Sequence, residues 1–455
     1  MSTPQKSISS GKAVGYGMGD AGIGIYWSSL SVYLLFYYTD VLRIDPVTAG
    51  LIFGISIFWD AVTDPVMGII ATRTNTRWGK FRPYLVFGAP VLAICFVMMF
   101  AAPVLFPSAI VLSSAIAHIV FRTAYTVVSI PYSSLSAVIT TSSEGRTRLA
   151  GARMGFAIIG TLLATITMPT LAAQFGGDNE QLGWAIVSCI YAVIGTVIIL
   201  LCFRFTSEDA ETFTVKAKVS LKDTVSFARS NTALWILSAA VILGSVGTGI
   251  SSKSIVYFIK YNLDAEASTG ALLGLQGLCF GASIPFWIWF GAKSSKRNSM
   301  MLGGLIMLSN QTFFYLSSPS TVVETLPYFV LNGVSFGSFA VMFWAMLPDT
   351  VEYGQWKSGI RDEGASVSLI SFAQKAGVAT AVALVGYLLE YIGYDPDTET
   401  PETLFGGLKT MTFLLPGLIT ASTAMIIWFY PIDQKKHAQI LNDLEARHSA
   451  SVGTG

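Results

Sequence analysis

Gly183-Trp184-Ala185-Ile186-Val187-Ser188-Cys189-Ile190-Tyr191-Ala192-Val193-Ile194-Gly195-Thr196-Val197-Ile198-Ile199-Leu200-Leu201-Cys202-Phe203-Arg204 carries no charge before its last residue. Roughly 20 apolar residues in helical form cross roughly 30 Å of hydrocarbon. Lipid offers no partner to backbone N–H and C=O groups, so such a span pairs them within itself, as a helix. Cutting the rest of the chain at charged or turn-rich breaks gives about twelve such runs, near 14–39, 47–71, 83–105, 108–140, 149–174, 183–204, 232–261, 267–292, 299–318, 322–348, 364–392 and 408–430.

Composition agrees. Hydrophobic residues make up 53% of the 455 and charged residues 12%, about half the usual soluble share, and mean hydropathy is +0.60. A soluble enzyme, a disordered chain and a secreted disulfide scaffold are excluded. The net charge of +1 favours no nucleic-acid partner. Cys95, Cys189, Cys202 and Cys279 sit in apolar runs and read as small buried hydrophobes. His118, His437 and His448 show no metal-ligand spacing, and no cleavable signal peptide is expected after the polar start at 1–12.

Orientation follows from the basic residues. With the N-terminus inside, 21 of the 28 Lys and Arg fall in inward loops and tails, including Lys6, Arg73, Arg77, Lys80, Arg146, Lys216, Lys218, Lys222 and Arg361. Outward loops hold Arg43, Lys260 and Lys409 and are otherwise acidic, as at Glu390, Asp395, Asp397, Glu399 and Glu402. An even number of spans with both termini cytoplasmic is expected. The longest inward connection divides the chain into a six-helix lobe at 1–204, a cytoplasmic loop at 205–230, a second six-helix lobe at 231–430 and a tail at 431–455. The halves echo each other. Asp64-Pro65-Val66-Met67-Gly68 precedes Arg73 and Arg77-Trp78-Gly79-Lys80, while Asp349-Thr350-Val351-Glu352-Tyr353-Gly354 precedes Lys357 and Arg361. Paired halves mark secondary transporters. Ile440, Leu441 and Leu444 in the tail have the spacing of a short amphipathic helix.

Ionisable residues at lipid depth are expensive and point to function. Asp60 and Asp64, at i and i+4 in the second run, share one helix face beside Thr63. Two carboxylates and a hydroxyl suit a small hard cation; a single proton is the other occupant, because close like charges raise each other's pKa. Arg122, Thr126 and Ser129 share a face of the fourth run, where Thr126 is placed to complete the cation shell and Pro131 removes a backbone hydrogen bond. Arg153 reads either as an interfacial arginine or as part of the pocket, and so does Lys253. Lys375 needs a buried anion, with Asp60 or Asp64 the expected partner. Aromatic rings stack on the C–H faces of sugars, which makes Tyr26, Trp27, Trp59, Tyr125 and Trp344 candidates among the 57 aromatics; Trp27 and Trp344 lead.

Several stretches together resemble one family. They are Gly15-Tyr16-Gly17-Met18-Gly19-Asp20, Phe36-Tyr37-Tyr38-Thr39-Asp40-Val41, Trp59-Asp60-Ala61-Val62-Thr63-Asp64-Pro65, Arg77-Trp78-Gly79-Lys80-Phe81-Arg82-Pro83, Ile130-Pro131-Tyr132 and Asp349-Thr350-Val351-Glu352-Tyr353-Gly354-Gln355-Trp356-Lys357. The chain resembles the glycoside–pentoside–hexuronide:cation symporters of the major facilitator superfamily. The resemblance implies an all-α membrane protein with twelve transmembrane helices in two six-helix lobes. It implies sugar uptake coupled to Na+ or H+ in a bacterial inner membrane, with no enzymatic activity and no cofactor beyond the coupling cation. The family's cation site maps onto Asp60, Asp64 and Thr126, with Thr63 where an asparagine stands, so Na+ is a possible ligand of the two aspartates. Its helix 11 lysine maps onto Lys375, its helix 5 arginine onto Arg153, and its gating charges onto Asp349, Glu352 and Arg361, joined by Arg73, Arg77 and Lys80 in the inward loops.

The departures are informative. The sugar-binding aspartate of galactoside carriers in this family falls at Gly24, a second aspartate at Ser129 and a tryptophan at Ser133. Acids are lost while Arg122 and Lys253 are extra bases. The expected substrate is an anionic sugar, a uronide or sulfo-sugar, bound by some of Arg122, Arg153, Lys253 and Lys375; a neutral glycoside or pentoside is the alternative, with those bases paired to Asp20, Asp60 and Asp64. The expected partners are a small sugar, a monovalent cation and the bilayer, with the carrier a monomer. A flux-free sugar sensor would need a signalling domain, a membrane enzyme a nucleophile or metal constellation, and a primary pump a phosphate-binding loop; the chain shows none of these patterns.

Overall fold

The structure, a computed structural model, describes residues 9–140, 143–208, 221–395 and 402–452. Every regular element among them is a helix. In chain order these are α1 (Ser10–Ser28), α2 (Leu34–Phe36), α3 (Pro46–Arg73), α4 (Arg82–Leu105), α5 (Ile110–Ile139), α6 (Ser143–Gly176), α7 (Glu180–Phe205) and α8 (Leu221–Ser230). They continue with α9 (Thr232–Tyr257), α10 (Thr269–Lys293), α11 (Lys296–Ser317), α12 (Val322–Ser358), α13 (Glu363–Tyr391), α14 (Glu402–Lys409), α15 (Leu415–Trp428) and α16 (Gln434–Val452). Wider π-helical turns at Ser29–Tyr33, Tyr37–Val41, Phe258–Asn262 and Thr410–Leu414 join consecutive pieces.

All twelve apolar runs are helical. Ten helices among the described residues are long and apolar enough to cross a bilayer. The runs at 14–39 and 299–318 fall short of that measure, because the first spends its length on glycine, serine and tyrosine and the second carries Asn310 and Gln311. Pro65, Pro131, Pro169, Pro285 and Pro348 lie inside helices, where in lipid the freed backbone groups find partners nearby.

The helices gather into two compact units. One is built from the described residues within 1–215, 265–274 and 385–400; the other from those within 216–264, 275–384 and 401–455. The stretches 265–274 and 385–400 pack with the first unit. There the Tyr394 hydroxyl donates to buried Asp40, and the backbone at Gly386 meets that at Pro46.

The middle segment expected as a loop carries α8, whose Phe227 is buried against Gly354 of α12. Lys6, Lys216, Lys218, Asp397 and Glu399 lie outside the described residues. The tail forms α16. Ile440 is fully buried and Leu444 packs on the core of the second unit with Trp287, Met342 and Phe343, while Leu441 is exposed. The four cysteines are free; Cys95 and Cys202 are buried as expected, but Cys189 is exposed.

Candidate functional site

The two aspartates of α3 face α5. Arg122 Nη1 donates to Asp60 Oδ2 at 2.7 Å, and the side chains are only 2% and 6% exposed. One turn along both helices, Thr126 Oγ1 donates to Asp64 Oδ1 at 2.8 Å. Beside them Trp59 Nε1 donates to Thr123 Oγ1 at 2.9 Å. The i, i+4 spacing of the acids thus meets the i, i+4 spacing of Arg122 and Thr126 rung by rung. That match requires two helices running in the same direction, as alternate passes through a membrane do. Thr63 turns its hydroxyl back to Trp59 O at 3.0 Å, the usual fate of a helical threonine.

Arg122 is hemmed in. Its Nε lies 3.3 Å from Nε2 of the buried His118, and its guanidinium stands 5.5 Å from the Trp27 ring and 5.7 Å from Phe53. It therefore meets Asp60, one of the acids that the neutral-sugar alternative gives to the surplus bases. Lys375, on α13, is half-buried, and Lys253, on α9, is 4% exposed, so Lys253 does not reach an aqueous interface.

A second internal pair joins α1 to α6. Arg153 Nε donates to Asp20 Oδ2 at 2.6 Å, and Tyr132 Oη donates to the same oxygen at 2.9 Å. The Arg153 guanidinium lies over the Tyr132 ring at 5.2 Å. Arg153 is thus neither an interfacial arginine nor an unpaired ligand. Gly24, where galactoside carriers in the family place an aspartate, packs on α6: an added Cβ would lie 3.2 Å from Ala157 O and 3.4 Å from Thr161 N. A Cβ there needs the facing α6 backbone to give by a few tenths of an ångström.

The aromatics divide. Trp27 is 44% exposed, Trp59 41% and Trp344 48%. Trp27 pairs with half-buried Tyr125 at 5.7 Å, near half-buried Ser129, and Trp344 pairs with Phe343 at 4.7 Å. Tyr26 does not fit the sugar-platform expectation. It is fully buried, packs edge-on against Phe96 at 4.9 Å and donates to Ala192 O at 3.0 Å; it holds α1 to α7.

The expected gating charges have near partners among the described residues. Asp349 Oδ1 accepts from Lys296 Nζ at 2.6 Å. His437 Nε2 lies 2.6 Å from Glu352 and 3.5 Å from Asp349. The ligand atoms of Asp349, Glu352 and His437 all lie within 4.8 Å of one another, a grouping hidden in the sequence because His437 arrives from the tail. Arg361 pairs with Glu363, two residues on, at 2.9 Å; Arg73 is exposed and Arg77 stacks on Trp78 at 4.4 Å.

The Arg77–Lys80 loop has an organiser that no sequence pattern marks. The Glu208 carboxylate accepts the backbone N–H groups of Lys80, Phe81 and Arg82 at 2.7, 2.8 and 2.8 Å. Three donors at the start of α4 converge on one anion, as unsatisfied N-terminal N–H groups do. Gly79 has φ +105°, and a Cβ there would lie 2.4 Å from the Glu208 carboxyl carbon. The glycine is required by both the backbone and the carboxylate.

Known proteins give the same picture. The family model for MFS/sugar transport proteins matches residues 15–434. The chain is 31% identical to the symporter YnaJ of Bacillus subtilis, over 97% of this chain and 96% of that one. It is 30% identical to an isoprimeverose transporter of Lactiplantibacillus pentosus, over 95% and 91%. The crystal structure of the nucleoside transporter NupG superposes with a TM-score of 0.64 at 13% identity, covering 92% of this chain and 99% of that one, a likeness of fold. The protein is a multi-pass membrane protein that belongs to the MFS/sugar transport family, among its glycoside–pentoside–hexuronide:cation symporters.

Proposed function

We propose that this protein is a cation-coupled symporter for a neutral sugar or glycoside, working by alternating access in the bacterial inner membrane as a monomer. The observation that carries the reading is the pair of matched rungs between α3 and α5, Asp60–Arg122 and Asp64–Thr126. A carboxylate–hydroxyl unit on two apolar spans supports the reading, because ionisable groups at lipid depth serve ions or substrates. Asp60, Thr63, Asp64 and Thr126 form the cation locus. Trp27, Tyr125 and Ser129 are the sugar-binding residues of the first unit, and Trp344, Lys253 and Lys375 those of the second. α1 with α2, and α11, also cross the bilayer, which gives twelve spans, two six-helix lobes at 1–204 and 231–430, and cytoplasmic termini in accord with the distribution of Lys and Arg.

The neutral substrate is favoured over the anionic one because two of the four surplus bases, Arg122 and Arg153, are each bonded to a carboxylate. A neutral sugar entering with one cation carries a net positive charge. The membrane potential then contributes about 2.3 kcal/mol at 100 mV, and a tenfold cation gradient about 1.4 kcal/mol. Together they support accumulation of several hundredfold.

The test is uptake into proteoliposomes of isoprimeverose and of methyl β-D-glucuronide, each under an imposed H+ or Na+ gradient with and without a membrane potential. Accumulation of isoprimeverose above equilibrium, steepened by a negative interior and lost in Asp64→Asn, supports the reading. Accumulation of the glucuronide alone returns the surplus bases to the substrate. Equilibration without accumulation under either gradient refutes symport.

A further inference from the structure

The two-carboxylate locus holds a cation of its own. Arg122 is as buried as the carboxylate it touches, and its guanidinium does not lose its proton at any physiological pH. The charged and titratable side chains that the described contacts place beside it include Asp60 on α3, His118 on α5 and Tyr38 in the turn before α3, with Asp64 and Asp20 next to the neighbouring Tyr125 on α5. Arg122 thus cancels one of the two carboxylate charges that Asp60 and Asp64 bring to the locus.

A monovalent metal ion binds by replacing its water shell with several oxygens. Part of the oxygen set here is already held in hydrogen bonds. Asp60 Oδ2 accepts from Arg122, the Thr63 hydroxyl is turned to Trp59 O, and the Thr126 hydroxyl donates its proton to Asp64 Oδ1. A metal ion between the aspartates would also stand beside the guanidinium in a medium where like charges repel strongly. Resting on the symporter reading above, we propose that Arg122 is a built-in counter-cation that takes at Asp60 the place of a coupling metal ion and excludes Na+ from the site. The carrier is then driven by the proton, which needs one oxygen and no shell, and Arg122 is the residue that sets ion selectivity.

The measurement is binding of radioactive Na+ to the purified full-length carrier with its affinity tag removed, alongside Arg122→Gln and Arg122→Met. The second variant fills the cavity without charge or hydrogen bonding, and gel filtration reports folding of both. The wild type should show no saturable Na+ binding at millimolar concentrations. A folded Arg122 variant should bind at least about tenfold more tightly, and Asp64→Asn added to it should abolish the gain. Saturable Na+ binding by the wild type overturns the proposal whatever the variants do, and so does a folded variant that gains none. Failure of the symporter reading looks different: neither gradient accumulates either test sugar, whatever binds Na+.

Discussion

Asp60 and Arg122 should behave as one energetic unit, and a double-mutant cycle measures whether they do. Removing either partner of a buried ion pair leaves an uncompensated charge and costs about 3–5 kcal/mol. Neither side chain is open to water, at 6% and 2% exposure, so no screening discount applies. Asp60→Asn and Arg122→Gln should therefore each destabilise strongly. The double variant leaves two neutral amides facing each other and removes both charges. It should lie closer to the wild type than either single variant does, with a coupling energy of at least about 2 kcal/mol, or about thirtyfold in rate. Large membrane carriers inactivate irreversibly, so the quantity to follow is the half-life of folded protein in lipid nanodiscs at fixed temperature. A double variant that inactivates faster than both singles, by the product of their effects, would refute the claim that Asp60 and Arg122 are held together in the folded carrier.

Other consequences are sharp enough to test. Glu208→Ala leaves three converging N–H groups without their acceptor and should cost about 1–3 kcal/mol, read as faster proteolysis at the loop around Arg77; Gly79→Ala should match it, because its Cβ falls on the same carboxylate. Tyr26→Phe loses one hydrogen bond, to Ala192, and should cost about 1 kcal/mol of stability while leaving sugar affinity unchanged. Trp27→Ala should weaken sugar binding about tenfold or more, the loss of a large stacking surface; calorimetric titration with isoprimeverose separates the two outcomes. His437→Gln should loosen α16 modestly, by about 1 kcal/mol or less because the His437–Glu352 pair is partly exposed, and hydrogen exchange confined to 434–452 would report it.

The helices are legible in the sequence because hydrocarbon leaves the backbone one solution and hydropathy marks where it applies. The tail helix is legible from the spacing of Ile440 and Leu444. The candidate site is legible as positions on faces: Asp60 with Asp64, and Arg122 with Thr126. What each face meets is a property of packing, which local patterns do not carry. Tyr26 and Trp27 are neighbours in sequence and equally aromatic, yet one turns into the α1–α7 seam and the other does not. Glu208 and His437 carry no local pattern at all. Each is a single residue just outside a span, and its role exists only where backbone donors or carboxylates from distant segments converge on it.

Arg122 shows what can be added to sequence reasoning of this kind. An arginine at lipid depth is assigned to an outside anion when acids are missing from other positions in the chain. That count runs over the whole chain, whereas an arginine in a low-dielectric interior pairs with whichever carboxylate packing brings within hydrogen-bond reach. Two spans that cross in the same direction bring equal spacings into register, so acids at 60 and 64 are matched by whatever lies four residues apart on the facing run. On α5 those residues are Arg122 and Thr126. One rung therefore joins two opposite full charges, and the other joins a carboxylate to a neutral hydroxyl. A single arginine on α5 is enough to cancel one carboxylate of the pair without altering either aspartate, so the two aspartates alone do not give the charge of the locus.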